Sequence, residues 1–132
     1  DKTVVIPIHP RTRNIFKEWK NKGNSTKNFK VIDPLSYLEI LDLLKGADGV
    51  FTDSGGLCRD SVWSGCRTVL LFTKETWHDL LFNEWATIGK GNKESIEEAW
   101  SNCKYPNVSK AHDFFGGGKA SVRIADYIKN NF

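Results

Sequence analysis

The run Val50-Phe51-Thr52-Asp53-Ser54-Gly55-Gly56-Leu57-Cys58-Arg59-Asp60 sets two adjacent glycines between an apolar, strand-like segment and a helix-like one. Residues without side chains let main-chain N–H groups come close to an anion. The unpaired N–H groups of a helix's first turn, at the positive end of its dipole, suit a phosphate. Ser54 adds a hydroxyl donor at the same place. Asp60, four residues beyond Gly56 and so one helical turn on, offers a carboxylate that could accept hydrogen bonds from a ribose diol. Phosphate and sugar together make a nucleotide. An Asp-Ser-Gly-Gly turn is also an ordinary way to leave a strand and start a helix, and on these residues alone both readings stand.

The segments that must position them alternate between strand and helix signals. Residues 3–8 form a β-branched run closed by Pro10, which predicts a strand buried on both faces. Residues 11–22 place Ile15, Phe16 and Trp19 at helical spacing before Gly23-Asn24-Ser25 interrupts, and residues 29–32 read as a second strand. Asp33-Pro34 predicts a helix start, with the aspartate as N-cap and the proline at the first helical position. Leu38, Ile40, Leu41 and Leu44 supply that helix's buried stripe and Lys45-Gly46 its end. Strands follow at 49–52, 68–72 and 85–88, and helices at 57–64, from an Asn92 cap to about 102, and at 120–131, the last with Val122, Ile124, Ala125 and Ile128 inward. Repeated β-then-α units predict an α/β, Rossmann-like three-layer α/β/α fold with a parallel sheet. Ligands of such sheets lie beyond the carboxyl ends of the strands. The Gly55-Gly56 turn is at such an end, and so are His9-Pro10-Arg11, Asp33-Pro34 and residues 74–79.

At 132 residues the chain suits a single domain with one sizeable core. Its net charge of +3 comes from 19 basic and 16 acidic residues without a long run of one sign, so nucleic acid is not demanded. Cys58, Cys66 and Cys103 are odd in number and lack metal-ligand or CxxC spacing. Neither a disulfide framework nor a zinc site is implied, and a reducing, cytoplasmic compartment is expected. No apolar run approaches the roughly 20 residues of a membrane span. The start Asp1-Lys2-Thr3 carries no signal peptide and no initiator methionine, so a longer parent chain is expected. Absence of GxGxxG and of a Walker A pattern disfavours nicotinamide or flavin binding by those devices.

Five groups of residues carry a resemblance: Ile8-His9-Pro10-Arg11-Thr12; Ile32-Asp33-Pro34 with Tyr37-Leu38; Thr52-Asp53-Ser54-Gly55-Gly56; Gly65 ahead of an apolar strand; and Phe115-Gly116-Gly117-Gly118-Lys119-Ala120-Ser121 with Arg123-Ile124. In this order and spacing, over nearly the whole chain, the sequence resembles the C-terminal domain of the non-hydrolysing UDP-N-acetylglucosamine 2-epimerases. The resemblance implies that residues 1–132 are one UDP-binding, Rossmann-like domain, one half of a GT-B two-domain architecture. Its N-terminal catalytic half is absent from this chain, and the enzyme is a homodimer when full length. It implies elimination of UDP across C1–C2 of the sugar, leaving a glycal, and re-addition after C2 is inverted, without metal or nicotinamide. It matches Ser54, Gly55 and Gly56 to the diphosphate-binding turn, Asp60 to a glutamate on the ribose hydroxyls and Ile40 to a uracil contact. Arg11 and His9 match the His-Pro-Arg motif on the cleft rim. His9 is equally read as a structural histidine bonded inside its turn, and Arg11 and Arg13 as a solvated helix start. Lys17, Lys20 and Lys22 are read as solvated surface.

Departures from that family are equally informative. Where the family's turn reads Thr-Glu-Arg-Pro-Glu, with its arginine facing the diphosphate or sugar, this chain has Glu75-Thr76-Trp77-His78-Asp79. A charge-assisted contact worth about 1.5–3 kcal/mol is lost at that position. Trp77 resembles the related epimerases of modified sugars such as UDP-diacetamido-glucuronate, and the alternative is an indole anchored in the core. Arg59 replaces an acidic residue, and two roles are open to it: pairing with Asp60, or restoring positive charge to a phosphate. His78 is read as a surface histidine on the rim, with an acid or base role as the alternative. Gly116-Gly117-Gly118 stands where the family has Gly-Asp-Gly. In the resembling enzymes the acid–base carboxylates come from the N-terminal domain, and a His-Arg-x-x-Asn motif lies just upstream of this sequence. Two other classes remain in view, a catalytically silent sugar-nucleotide-binding module and a GT-B glycosyltransferase fragment.

Overall fold

The computed structural model describes residues 2–72 and 77–132. Contacts divide the chain into two compact units, Asp1–Ile40 and Leu41–Phe132. In the first, β1 (Val4–Pro7) is followed by α1 (Pro10–Asn21) and β2 (Phe29–Ile32). The two strands pair in parallel with Val4 opposite Phe29 and Pro7 opposite Ile32. α1 reaches β2 through Trp19, whose ring lies 5.9 Å from that of Phe29. Burial on both faces, expected of the first strand, does not hold: Val4 is exposed and Val5, Ile6 and Pro7 are half-buried. A β-branched run fixes the extended backbone, but covering both faces takes apolar partners on each. Ile15 is likewise exposed, while the rings of Phe16 and Trp19 meet tilted, 5.7 Å apart.

Helix α2 (Tyr37–Lys45) begins later than Asp33-Pro34 predicts. Ser36 and Glu39 form a capping box: the Ser36 N–H and hydroxyl both donate to Glu39 Oε2, at 2.7 and 2.6 Å, and the Glu39 N–H faces Ser36 Oγ at 3.5 Å. Bonds from Ser36 hold the Glu39 carboxyl below the usual carboxylate range. Asp33 instead accepts from Arg13 Nη2 at 2.6 Å. Of the expected stripe only Leu44 is buried; Leu38 is exposed and Ile40 and Leu41 are half-buried.

The second unit holds β3 (Gly49–Thr52), α3 (Gly55–Trp63), β4 (Arg67–Leu70), α4 (His78–Phe82), β5 (Thr87–Ile88), α5 (Lys93–Asn102), α6 (Val108–Phe114) and α7 (Ala120–Asn131). Its strands form a parallel sheet in the order β3-β4-β5, with Gly49 opposite Arg67 and Val69 opposite Thr87. Successive residues of β4 point to opposite faces. Leu70 joins a cluster with Cys58 and Val62 of α3, Leu80 of α4, Ala111 of α6, Trp85 and Ala86, whereas Val69 joins Ala99 of α5 and Cys103. Helices therefore flank this sheet on both sides, the α/β arrangement the alternating pattern predicts. Arg67 fastens the second side, its Nε donating to the Cys103 carbonyl at 2.9 Å and its guanidinium lying 3.8 Å over the Trp100 ring.

Several boundaries move. α3 begins at Gly55 rather than at residue 57, so the glycines are its first two residues. The last strand shrinks to two residues, with Trp85 and Ala86 buried in the core cluster just ahead of it. α4 and α6 have no counterpart in the pattern-based assignment. α7 has the expected bounds but buries nothing: Val122, Ile124 and Ile128 are 58, 61 and 54% exposed. Apolar periodicity makes a helix amphipathic, whereas burial requires a facing surface, which the described residues do not offer it. All three cysteines are free and buried. Among the described residues no helix is long and apolar enough to cross a membrane.

Candidate functional site

β3 delivers the chain to the site. Thr52, the last residue of the strand and buried, accepts the Ser54 N–H on its Oγ1 at 3.0 Å, which fixes the turn. Ser54 is the N-cap, extended at φ −83° and ψ 124°, and its Oγ accepts the Leu57 N–H at 3.4 Å. The first helical bond then runs from the Cys58 N–H to the Ser54 carbonyl at 3.1 Å. Between them, the N–H groups of Gly55 and Gly56 have no hydrogen-bond partner among the described residues. Two adjacent donors at the positive end of α3 are thus unspent.

The two glycines differ in what surrounds them. A Cβ on Gly55 would lie 2.8 Å from Cζ2 of Trp77, whereas one on Gly56 would meet nothing within 4 Å. Gly55 is needed because an indole occupies its side-chain space; Gly56 is bare on an open side. Neighbours one turn on complete each face, since residues four apart stack and side chains lean toward the helix N-terminus. Arg59 belongs with Gly55 and Asp60 with Gly56. The Arg59 guanidinium lies 3.9 Å over the Trp77 ring and donates from Nη2 to Asp79 Oδ2 at 3.0 Å. Pairing of Arg59 with Asp60, one of the two roles open to it, is not found. Asp60 is half-buried, and its carboxylate has no partner among the described residues.

Trp77 adopts the left-handed conformation, φ 61° and ψ 49°, just ahead of α4 and packs half-buried on the core cluster. Such a backbone costs a bulky residue roughly 1–2 kcal/mol, which the packing around the ring must offset. His78 is exposed at the start of α4. Glu75 and Thr76 lie outside the described residues. On the other side of the first turn, the Cys58 thiol donates to the Gly55 carbonyl at 2.9 Å, and burial pushes it above its ordinary thiol value.

The other residues expected at a site belong to the first unit. His9 is the N-cap of α1, and its Nδ1 accepts the Arg11 N–H at 3.2 Å, so the bond inside the turn is present. Arg11 is exposed, and Ile40 is half-buried on α2. Two residues that matter in the second unit escaped the motif analysis. Thr52 was detectable, because a hydroxyl two residues before a serine can accept its N–H in a local turn. Asp79, 20 residues from its partner Arg59, leaves no local signal. Among the described residues no group of three or more His, Cys, Asp or Glu side chains is placed to hold a metal ion.

Comparison with known proteins adds a family. The family model of UDP-N-acetylglucosamine 2-epimerases matches residues 1–129. The chain is 31% identical over 130 residues to a UDP-N-acetylglucosamine 2-epimerase homolog of Methanococcus maripaludis, covering 96% of this chain and 36% of that protein. It is 31% identical over 125 residues to the UDP-2,3-diacetamido-2,3-dideoxy-D-glucuronate 2-epimerase of Pseudomonas aeruginosa, covering 95% and 34%. In structure it is similar to the Methanocaldococcus jannaschii UDP-GlcNAc 2-epimerase crystallised with UDP-GlcNAc and UDP, with a TM-score of 0.70 and 29% identity over 96% of this chain and 36% of that one. The chain therefore spans about a third of the length of these relatives.

Proposed function

Because the chain belongs to the UDP-N-acetylglucosamine 2-epimerase family, we propose that residues 1–132 are the UDP-binding C-terminal domain of an isomerase that inverts C2 of a UDP-amino sugar. The observation that carries this is the first turn of α3, with two unspent N–H groups, an open face at Gly56, and Ser54 and Asp60 beside it. When the C1–O bond to UDP breaks and the C2 proton leaves, a glycal forms and negative charge grows on the departing diphosphate. Fixed donors at a helix N-terminus stabilise that charge without reorganising. They also retain UDP, so that it can return to C1 once a proton has been delivered to the other face of C2. Asp60 accepts from the ribose hydroxyls, Ile40 meets uracil, and Arg11 and His9 line the rim.

The acid and base belong to an N-terminal half completing a GT-B pair, and the full-length protein works as a cytoplasmic homodimer making precursors of cell-surface polysaccharide. A modified sugar is the favoured substrate. Trp77 replaces the family's arginine that faces the diphosphate or sugar, and the Pseudomonas aeruginosa relative is named for such a sugar. Trp77, Arg59 and the missing Gly-Asp-Gly carboxylate equally support a silent binding module, which differs in lacking turnover when joined to its other half.

Titration with UDP, UDP-N-acetylglucosamine and UDP-glucuronate derivatives tests the reading. Ser54→Ala and Asp60→Ala should each weaken UDP by more than about 0.5 kcal/mol, the scatter of a neutral surface change. Smaller losses would remove the proposed contacts. The 132 residues alone should bind UDP weakly and release no glycal; turnover by them would contradict the placement of the acid and base elsewhere.

A further inference from the structure

The arginine of the resembling family, which faces the diphosphate or sugar, is missing at position 77, yet a guanidinium stands over the indole that replaces it. We propose that Arg59 is the cationic contact to the nucleotide's diphosphate, and that Trp77 and Asp79 are the residues that position it. The proposal rests on the UDP reading above and extends it to residues that no relative's name assigns.

Three observations converge. Arg59 is four residues beyond Gly55 on α3, so its side chain leans back over the first turn on the face where Gly55 has no side chain of its own. The Trp77 indole fills that vacant space and presents its ring to the guanidinium at 3.9 Å. Asp79 takes a single bond from Nη2, and the side chain stays 38% exposed against 24% for Asp79. An arginine has five N–H donors in a rigid plane. One is spent here, and the others have no partner among the described residues.

The electrostatics point the same way. The Arg59 side chain leans toward the positive end of α3, where a charge of the same sign is not favoured. Asp79 offsets one charge; the N–H groups of Gly55 and Gly56, which have no hydrogen-bond partner among the described residues, add positive potential at the same helix end. A diphosphate answers it, through charge-assisted bonds to a guanidinium already held flat on a ring and therefore costing little ordering on binding. Trp77 thus substitutes for the family's arginine indirectly, by moving the positive charge from the turn after β4 onto α3.

The test is an NMR-detected titration of the chain, which reads millimolar affinities, with uridine and with UDP at fixed ionic strength. The variants are Arg59→Gln, Trp77→Phe, Trp77→Leu and Asp79→Asn, with Ser54→Ala as the benchmark and thermal midpoints recorded for each. Arg59→Gln should weaken UDP about tenfold or more while leaving uridine within about twofold. Trp77→Phe, which keeps a ring under the guanidinium, should stay within about threefold of wild type, and Trp77→Leu should lose what Arg59→Gln loses. Equal losses for uridine and UDP, or a UDP loss in Arg59→Gln under about twofold, would overturn the proposal. If Ser54→Ala weakens UDP and Arg59→Gln does not, the UDP reading stands and the role of Arg59 falls. Failure of the wild-type chain to bind UDP at all would end both.

Discussion

Helices α1 and α3 each start just beyond the carboxyl end of a parallel strand, and their first turns dispose of their donors in opposite ways. In α1 the first residue is Pro10, which has no N–H; the Arg11 N–H goes to the His9 ring and the Thr12 N–H to the His9 carbonyl at 2.9 Å. In α3 the first two residues are glycines whose N–H groups have no partner among the described residues, and the cap reaches only Leu57, at 3.4 Å. A turn that consumes its own donors is a structural joint. A turn that leaves them unspent, on a face with no side chain, is built for something else. The difference teaches that the signal for an anion seat lies in the accounting of N–H groups, and glycine content serves it only by clearing space.

Substitutions can break the contrast from either side. The largest effect is expected from Gly55→Ala, whose new methyl would press on an indole pinned under Arg59; overpacking of this kind costs about 1–3 kcal/mol, read from chemical denaturation. Gly56→Ala sharpens the point. Its methyl meets nothing, so stability should hold or rise by up to about 1 kcal/mol, while UDP affinity falls about tenfold because the methyl stands where the ligand must come. If both alanines behaved alike, the division of the turn into a packed side and an open side would be wrong. Pro10→Ala gives α1 an extra N–H but no site, so it should cost about 0.4–1 kcal/mol through the unfolded chain and leave UDP affinity within about twofold.

The smallest effect comes from pH. Burial raises the Cys58 and Cys66 thiols above their ordinary value, so the folded chain holds those protons more tightly than the unfolded one. Their contribution is complete below the unfolded value of about 8.5 and is lost as pH climbs through the raised one. Thermal midpoints should be insensitive to these groups from pH 6 to about 8 and should fall above about 9. A Cys58→Ala, Cys66→Ala double variant that falls just as steeply would assign the alkaline loss to other groups.

How far the sequence could be read follows from what each feature depends on. β2, β3, α5 and α7 came out at or near their expected bounds because short apolar runs, the Asn92 cap and 3.6-residue periodicity are local properties. Misreadings arose where something distant decides. Asp33-Pro34 predicts a helix start, yet Arg13 claims the aspartate and the Ser36–Glu39 box supplies the cap. The inward face of α7 was inferred from a pattern that names a surface without naming its partner. Type and spacing single out Ser54, Gly55, Gly56 and Asp60 as candidates, and the structure puts them in the first two turns of α3 and its cap. The role of Trp77 was not recognisable this way, since its contacts with Gly55 and Arg59 join residues about 20 apart through a left-handed backbone that no propensity anticipates.

The most direct test follows the backbone amides of the ¹⁵N-labelled chain as UDP is added. The account predicts saturable shifts at Gly55, Gly56 and Leu57, with the Arg59 side-chain Nε–H moving alongside them, and about tenfold more UDP needed to saturate the same four positions in Gly56→Ala. Shifts that saturate elsewhere while the first turn of α3 stays still would contradict it.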